Sequence, residues 1–295
     1  DGDHGELTSA ETPSENRLIA RNCAVKRQHM GKLQHNKTIV VDGPLVQKVV
    51  CGSTNLSWRG FYVQSNNAVI LTGASAVKPF LDAFNNYWEH GTVGKFGKTS
   101  SAAQWTPLGL DGIDAAVTFS PHLKSNAQLQ LIANDVKNAT TSCLFYSLAF
   151  LYQTKGPLRD AIKTIAENNN IFVYGISDKK VGGLDLQKPS TNIAPVFAAT
   201  LQENVPEPFK SEPAGGGGTR MHHKFVVVDF DKPTARVYLG SYNFSGYADK
   251  SNGENLLLIR DRRIAVAYMI EALRIFDHYH FRVAQAEAGK GKRTL

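Results

Sequence analysis

One pattern occurs twice in this chain, and it limits the possible folds more than any other feature. His35-Asn-Lys37-Thr-Ile-Val-Val-Asp42 matches His222-His-Lys224-Phe-Val-Val-Val-Asp229, and Gly52-Ser53-Thr54-Asn55-Leu56-Ser57 matches Gly240-Ser241-Tyr242-Asn243-Phe244-Ser245. The offset is 187 residues in the first block and 188 in the second, so one extra residue lies between Asp229 and Gly240. A unit repeated at this spacing reads as one supersecondary structure used twice. In each copy a β-branched run, Lys37–Val41 or Lys224–Val228, leads into a turn at Asp42-Gly43-Pro44 or Asp231-Lys232-Pro233. A returning strand follows at Val49–Gly52 or Val237–Gly240, then a third at Ala68–Leu71 or Leu256–Ile259. A helix closes each copy: Ala76–Trp88 and Arg263–Phe281 carry apolar residues at helical spacing.

The second copy has a long upstream part. Phe119-Ser-Pro opens it, Ala127–Asn138 and Leu158–Asn168 read as helices, and Thr141–Phe150 and Ile171–Ile176 as strands. This β/α alternation implies mixed sheets covered by helices, an α/β fold. Far fewer residues precede His35 than separate Phe119 from His222, so roughly 70 residues of an equivalent first copy are expected to be absent. The chain then reads as a gene fragment, ahead of a processed form or a shortened lineage. The expected division is an incomplete N-terminal half at 1–105, a C-terminal half at 112–284 and a disordered tail at 285–295. Gly91–Gly112 reads as a linker rich in Gly, Ser and Lys. Ser177–Arg220 reads as a long Pro- and Gly-rich loop, a length usually kept for function or disorder.

On a strand, His and Lys two positions apart point to the same face. His35 with Lys37, and His222 with Lys224, therefore each present an imidazole and an ammonium to one phosphate. A lysine can neutralise a non-bridging oxygen as charge builds. Asn55 and Asn243 can donate amide hydrogen bonds to such oxygens, and the Ser53 and Ser241 hydroxyls can assist or orient neighbours. Two sets allow a division of labour in which one histidine attacks phosphorus and the other protonates the leaving oxygen, then activates water. No metal or cofactor is required. Asp42 and Asp229 end their strands at tight turns, where capping outranks a catalytic role. His223 alternates away from His222 and reads as structural. His122, His278 and His280 lack partners of suitable spacing. Trp58 and Arg59 either line a substrate groove or pack its rim.

With these residues in hand, the chain resembles the phospholipase D superfamily, whose members carry paired H-K-D motifs. The resemblance covers His35–Trp88 and Phe119–Phe281. It implies two pseudo-twofold-related halves with both motifs meeting at their interface, and a phosphohistidine intermediate. Here the asparagine follows the serine by two residues, where one common form of the motif spaces it by three. The resemblance further implies that the residue at Glu254 in one half, and at Asn66 in the other, reaches across to hold the opposite histidine. A carboxylate partner strengthens a base and stabilises an imidazolium, which makes His35 the nucleophile and His222 the general acid.

Three functions follow: a phosphodiesterase acting on phospholipid in lipid degradation, a metal-independent nuclease of the same mechanism, or a nonenzymatic binding module if the incomplete half is inactive. The formal charge of +7 and pI near 9.2 fit an anionic partner, phospholipid or nucleic acid. An ordinary basic surface carries the same excess. One chain supplies both motifs, so a monomer is expected to be active. No apolar run approaches the roughly 18–20 residues that span a bilayer, and Asp1–Asn16 is polar and acidic, unlike a signal peptide. Three widely spaced cysteines argue against a disulfide framework. Together these features lead to the expectation of a cytoplasmic protein.

Overall fold

The computed structural model describes residues 2–151, 154–178, 183–187, 194–197 and 219–289. Two short helices, α1 (Gly2–Gly5) and α2 (Thr12–Ile19), lead into a three-stranded antiparallel sheet. Its strands are β1 (Thr38–Asp42), β2 (Gln47–Gly52) and β3 (Ala68–Thr72), in the order β1-β2-β3. The short helix α3 (Trp58–Tyr62) interrupts the β2–β3 connection, and α4 (Ala74–Glu89) returns across the sheet.

The stretch read as a linker is folded. It forms α5 (Val93–Phe96), α6 (Ser100–Ala103) and β4 (Thr106–Pro107), and Phe96, Ala102 and Leu108 are fully buried. The Phe96 ring stacks on Tyr87 of α4 at 4.0 Å. Its Gly and Lys content masked three apolar anchors too widely spaced to give a periodic signal.

The second half continues with β5 (Asp114–Ser120), α7 (Leu129–Ala139), β6 (Cys143–Leu148), α8 (Pro157–Ala166) and β7 (Phe172–Asp178). Two further strands, β8 (Gly183–Gln187) and β9 (Ala194–Phe197), lie within the stretch read as a loop. The rest of that stretch, including Gly215–Gly218, lies outside the described residues. Then come β10 (Lys224–Val228), β11 (Arg236–Gly240), α9 (Gly246–Lys250), β12 (Glu254–Arg260) and α10 (Arg262–Gly289). Helix α10 runs past Gln285, where a disordered tail was expected; residues 290–295 lie outside the described set. These strands form one mixed sheet in the order β4-β5-β12-β11-β10-β6-β7-β8-β9, with β6 and β7 parallel.

The halves pack with α4 and α10 inside. Phe80, Ala83 and Tyr87 of α4, Ala265, Tyr268 and Ala272 of α10, and the inner faces of both sheets form one hydrophobic core. A second core lies on the outer face of the large sheet, where Leu129, Ile132, Ala133 and Val136 of α7 and Leu158, Ile162 and Ile165 of α8 cover Val226, Val228 and Leu258. The spacing i, i+3, i+4, i+7 on α7 puts those four side chains on one helical stripe. The small sheet differs at the same place. Ile39, Val41, Leu56 and Ile70 are 44–66% exposed, whereas their repeat counterparts Val226, Val228, Phe244 and Leu258 are at most 6% exposed. This face of the small sheet is uncovered among the described residues, and β1 pairs only with β2 among them. All three cysteines are free, Cys23 exposed and the other two buried. No helix among the described residues is long and apolar enough to cross a membrane.

Candidate active site

Each G-S-x-N-x-S segment leaves its strand through a sharp bend. Gly52 and Gly240 have φ of +153° and +147°, conformations that suit glycine. A Cβ on either would sit 2.3 Å from the carbonyl oxygen of Asn67 or Asn255 on the neighbouring strand. The last serine of each segment caps the short helix that follows: Ser57 Oγ accepts from Gly60 N, and Ser245 Oγ from Ala248 N. Replacing Gly240 with alanine is expected to reduce stability by about 3 kcal/mol through backbone strain and this clash, read as a lower denaturation midpoint. An unchanged midpoint would mean that the bend can relax.

The two segments lie on opposite sides of an interface stitched by mirrored backbone bonds. His35 N donates to Gly253 O at 2.9 Å and Gly253 N to Leu33 O at 2.8 Å. The repeat-related pair is His222 N to Ser65 O at 2.9 Å and Ser65 N to Arg220 O at 2.7 Å. These bonds carry Glu254 to His35 and Asn66 to His222. His35 Nδ1 lies 2.8 Å from Glu254 Oε2, and His222 Nδ1 lies 2.8 Å from Asn66 Oδ1. The second residue of each pair is mirrored too: Asn255 Nδ2 donates to Asn36 Oδ1 at 2.6 Å, and His223 Nδ1 sits 3.4 Å from Asn67 Oδ1.

The serines hold the partners. Ser241 Oγ donates to Glu254 Oε2 at 2.7 Å, and Ser53 Oγ to Asn66 Oδ1 at 3.0 Å. Asn66 Nδ2 donates to Gly60 O at 2.9 Å, which turns its oxygen toward His222. An oxygen only accepts, so His222 carries its proton on Nδ1 and presents Nε2 as a lone pair. Lys224 Nζ lies 3.0 Å from that Nε2, and Lys37 Nζ donates to the His35 carbonyl at 2.7 Å.

Charge follows from burial. Burial alone would push the Glu254 carboxyl up; the His35 charge and hydrogen bond, Lys37 and the Ser241 hydroxyl outweigh it and hold the carboxyl below its ordinary value. Burial pushes Lys37 down to about 8, against the pull of Glu254. It also drives Lys224 well below the usual lysine range, helped by Lys37. Both imidazoles lose proton affinity to burial, but Glu254 pulls back on His35, whereas Lys224, Lys37, His35 and His223 all add to the loss at His222.

The remaining residues singled out by sequence lie as follows. Asn55 and Asn243 sit half-buried on their loops, and Asn243 Oδ1 is buried without a hydrogen-bond partner among the described residues. Asp42 is exposed and accepts from Gln47 across the hairpin at 2.9 Å. Asp229 is buried just past the far end of β10, about 23 Å of extended chain from His222. There it accepts from the backbone amides of Thr141, Ser142 and Cys143 and from two hydroxyls, and so fixes the start of β6. Trp58 is largely exposed and Arg59 half-buried on α3.

His122 does have a partner. Its Nδ1 lies 2.9 Å from Asp249 and its Nε2 3.1 Å from Thr118, pinning α9 to β5. The two are 127 positions apart in the chain, beyond any local spacing rule. Sequence reasoning also missed Asn252, whose Nδ2 donates to Glu254 Oε1 at 3.1 Å, although it stands two residues before the glutamate. It missed Phe150 as well, whose ring meets His222 edge-on at 6.0 Å and lies 5.6 Å from Lys224 Nζ. Among the described residues no cluster of three His, Cys, Asp or Glu side chains is arranged to hold a metal.

Comparison with known proteins gives three results. The family model described as cardiolipin synthase, PLD-like domain, matches residues 1–88 and 132–276. A phospholipase D of Rickettsia prowazekii is 44% identical over 48 residues, 16% of this chain and 22% of that protein. A mitochondrial cardiolipin hydrolase of Xenopus tropicalis is 42% identical over 59 residues, 20% of this chain and 26% of that protein. The chain thus matches about a quarter or less of the length of these curated relatives. Among solved structures, phosphatidylserine synthase of Haemophilus influenzae superposes with a TM-score of 0.54 at 16% identity, covering 84% of this chain and 62% of that one. At that identity the likeness is one of fold.

Proposed function

The chain belongs to the family of phospholipase D-like phosphodiesterase domains, and from that premise we propose that it hydrolyses a phosphodiester, with phospholipid as the substrate, through a covalent phosphohistidine on His35. One observation carries the reading: the two motif histidines are each held at Nδ1 by a residue of the opposite half, one partner charged and the other neutral.

In this mechanism His35 Nε2 attacks phosphorus and the bond to the leaving oxygen breaks, while His222 gives that oxygen a proton. His222 then takes a proton from water, the water oxygen attacks phosphorus, and the phosphorus–nitrogen bond breaks to free His35. Glu254 stabilises the positive charge on the phosphorylated imidazole. Lys37, Lys224, Asn55 and Asn243 hold the non-bridging oxygens, and Ser53 and Ser241 fix Asn66 and Glu254. Asp42 and Asp229 serve the framework. A single chain contributes both histidines, so the active unit is a monomer.

The preference for phospholipid has support at the site. A cavity of about 270 Å³ adjoins Lys37 on the exposed face of the small sheet; Ile39, Val50, Leu56, Phe61 and Ala68 give it an apolar wall suited to an acyl chain, beside the polar Thr54, Gln64 and Asn66. The charge of +7 favours nucleic acid as the second reading. Hydrolysis of an activated aryl phosphodiester should persist in chelator and vanish in His35→Ala. Phosphatidylcholine and cardiolipin vesicles should be cleaved faster than single-stranded oligonucleotides; the reverse order would transfer the assignment to a nuclease. No turnover by the folded protein would leave a binding module.

A further inference from the structure

The histidines face partners of different charge, and the lysines follow suit. Beside His35, the Glu254 carboxylate balances one of the two cations that His35 and Lys37 can form. Beside His222, among the described residues, the partner at Nδ1 is the uncharged amide of Asn66. Lys224 Nζ and His222 Nε2 lie 3.0 Å apart, with Lys224 1% and His222 4% exposed. Two nitrogens at that distance are joined by one proton: one atom donates and the other offers a lone pair. Protonating both would set two hydrogens against each other and two cations in contact without water. The pair therefore holds one proton, whether as ammonium with neutral imidazole or the reverse, and its total charge is the same either way.

Catalysis needs more than this. His222 must hold a proton for the leaving oxygen while Lys224 stays charged against the phosphoryl oxygens. We propose that the phosphodiester itself admits the missing proton: its anionic oxygens take the place of the absent carboxylate, draw Lys224 off Nε2, and the His222–Lys224 pair takes up one proton from solvent. The inference rests on the phosphodiester reading above. It makes the general acid competent only after substrate has bound, so an empty site holds no loaded acid.

The surroundings agree. The ionisable groups facing the pair are Lys37 and His35 from the other half, the neighbouring His223, and Glu254, whose carboxylate is engaged by His35, Ser241 and Asn252. The Phe150 ring closes the β6 side and brings no charge. Asp178 binds the backbone amides of Arg220 and Met221 just before His222, and burial raises its carboxyl to about 7. Glu271 is engaged by His223 at 3.0 Å and Arg274 at 2.7 Å, which leaves Asp178, among the described residues, as the group that needs separate control.

The test is calorimetric titration of the full chain with dimethyl phosphate, a diester that does not titrate near neutral pH, in two buffers of different ionisation enthalpy. Uptake of about one proton per bound diester is expected. Asn66→Asp places a carboxylate on His222 in advance, so its uptake should fall to near zero; Asp178→Asn should keep the wild-type value. Binding without uptake in the wild type overturns the proposal, as does full uptake in Asn66→Asp or its loss in Asp178→Asn. The wild-type measurement decides by itself if Asn66→Asp does not fold. Failure of the wild type to bind dimethyl phosphate at all would instead overturn the phosphodiester reading on which the proposal rests.

Discussion

A protein with alanine at His222 is expected to phosphorylate itself on His35 and then stop. With an activated aryl diester the leaving oxygen needs no proton, so attack by His35 proceeds. The second step does need a base, and His222 is the imidazole positioned to supply it. Steady turnover should drop by about 10²- to 10⁴-fold, the range for losing one general acid–base, while a stoichiometric burst of aryl alcohol survives. An acid-sensitive phosphoryl group that still carries the diester's second ester should then appear on the peptide carrying His35 in a mass spectrum taken at neutral pH. His35→Ala should show neither burst nor label. Label on His222 in the His35→Ala protein would exchange the two roles.

The second large effect is expected at Glu254. Glu254→Gln keeps the shape and the contact to His35 but removes the carboxylate that, among the described residues, stands alone beside two lysines and two histidines. Turnover should fall about 100-fold or more, since the positive phosphohistidine loses its counter-charge. Glu254 raises the proton affinity of His35, so its removal should move the acid limb of kcat/KM to lower pH. Stability changes as well. The Glu254 carboxyl lies below its ordinary value when folded. Its contribution is therefore present above the unfolded pKa of about 4.3 and is lost as pH falls through the folded one. The glutamine protein should be less stable by about 3 kcal/mol near neutrality and should show a shallower loss in acid. Equal melting of the two proteins at neutral pH would mean that the lysines give up their protons instead.

Much of this site was legible in the sequence because it is a repeat. Matching the two copies aligns Glu254 with Asn66, and the resemblance to the phospholipase D superfamily implies that each reaches across the interface. The strands were legible for a related reason: Lys224–Val228 is a β-branched run, and it is buried on both faces in the middle of a sheet. What stayed hidden depends on distance or on single residues. His122 and Asp249 meet only because β5 and α9 fold together. Phe96, Ala102 and Leu108 anchor a segment whose composition reads as a spacer. Asp229 looks like any turn aspartate until the amides of residues 141–143 are seen around it. The motif spacing gives no hint that Lys224, besides donating to the His222 carbonyl as Lys37 does to that of His35, also touches the His222 ring.

The uncovered face of the small sheet has a bearing on when the site exists. The large sheet has helices packed on it from both sides and would open only with the whole molecule. Among the described residues the small one is closed by α4 on one side alone, so its amides would exchange with solvent more readily. His35 belongs to this softer part, and its position depends on the backbone bonds at Gly253 and Leu33. During folding, the large sheet can assemble first and act as the template on which the strand bearing His35 settles. On warming the reverse order is expected: His35 loses its alignment while most of the secondary structure still stands.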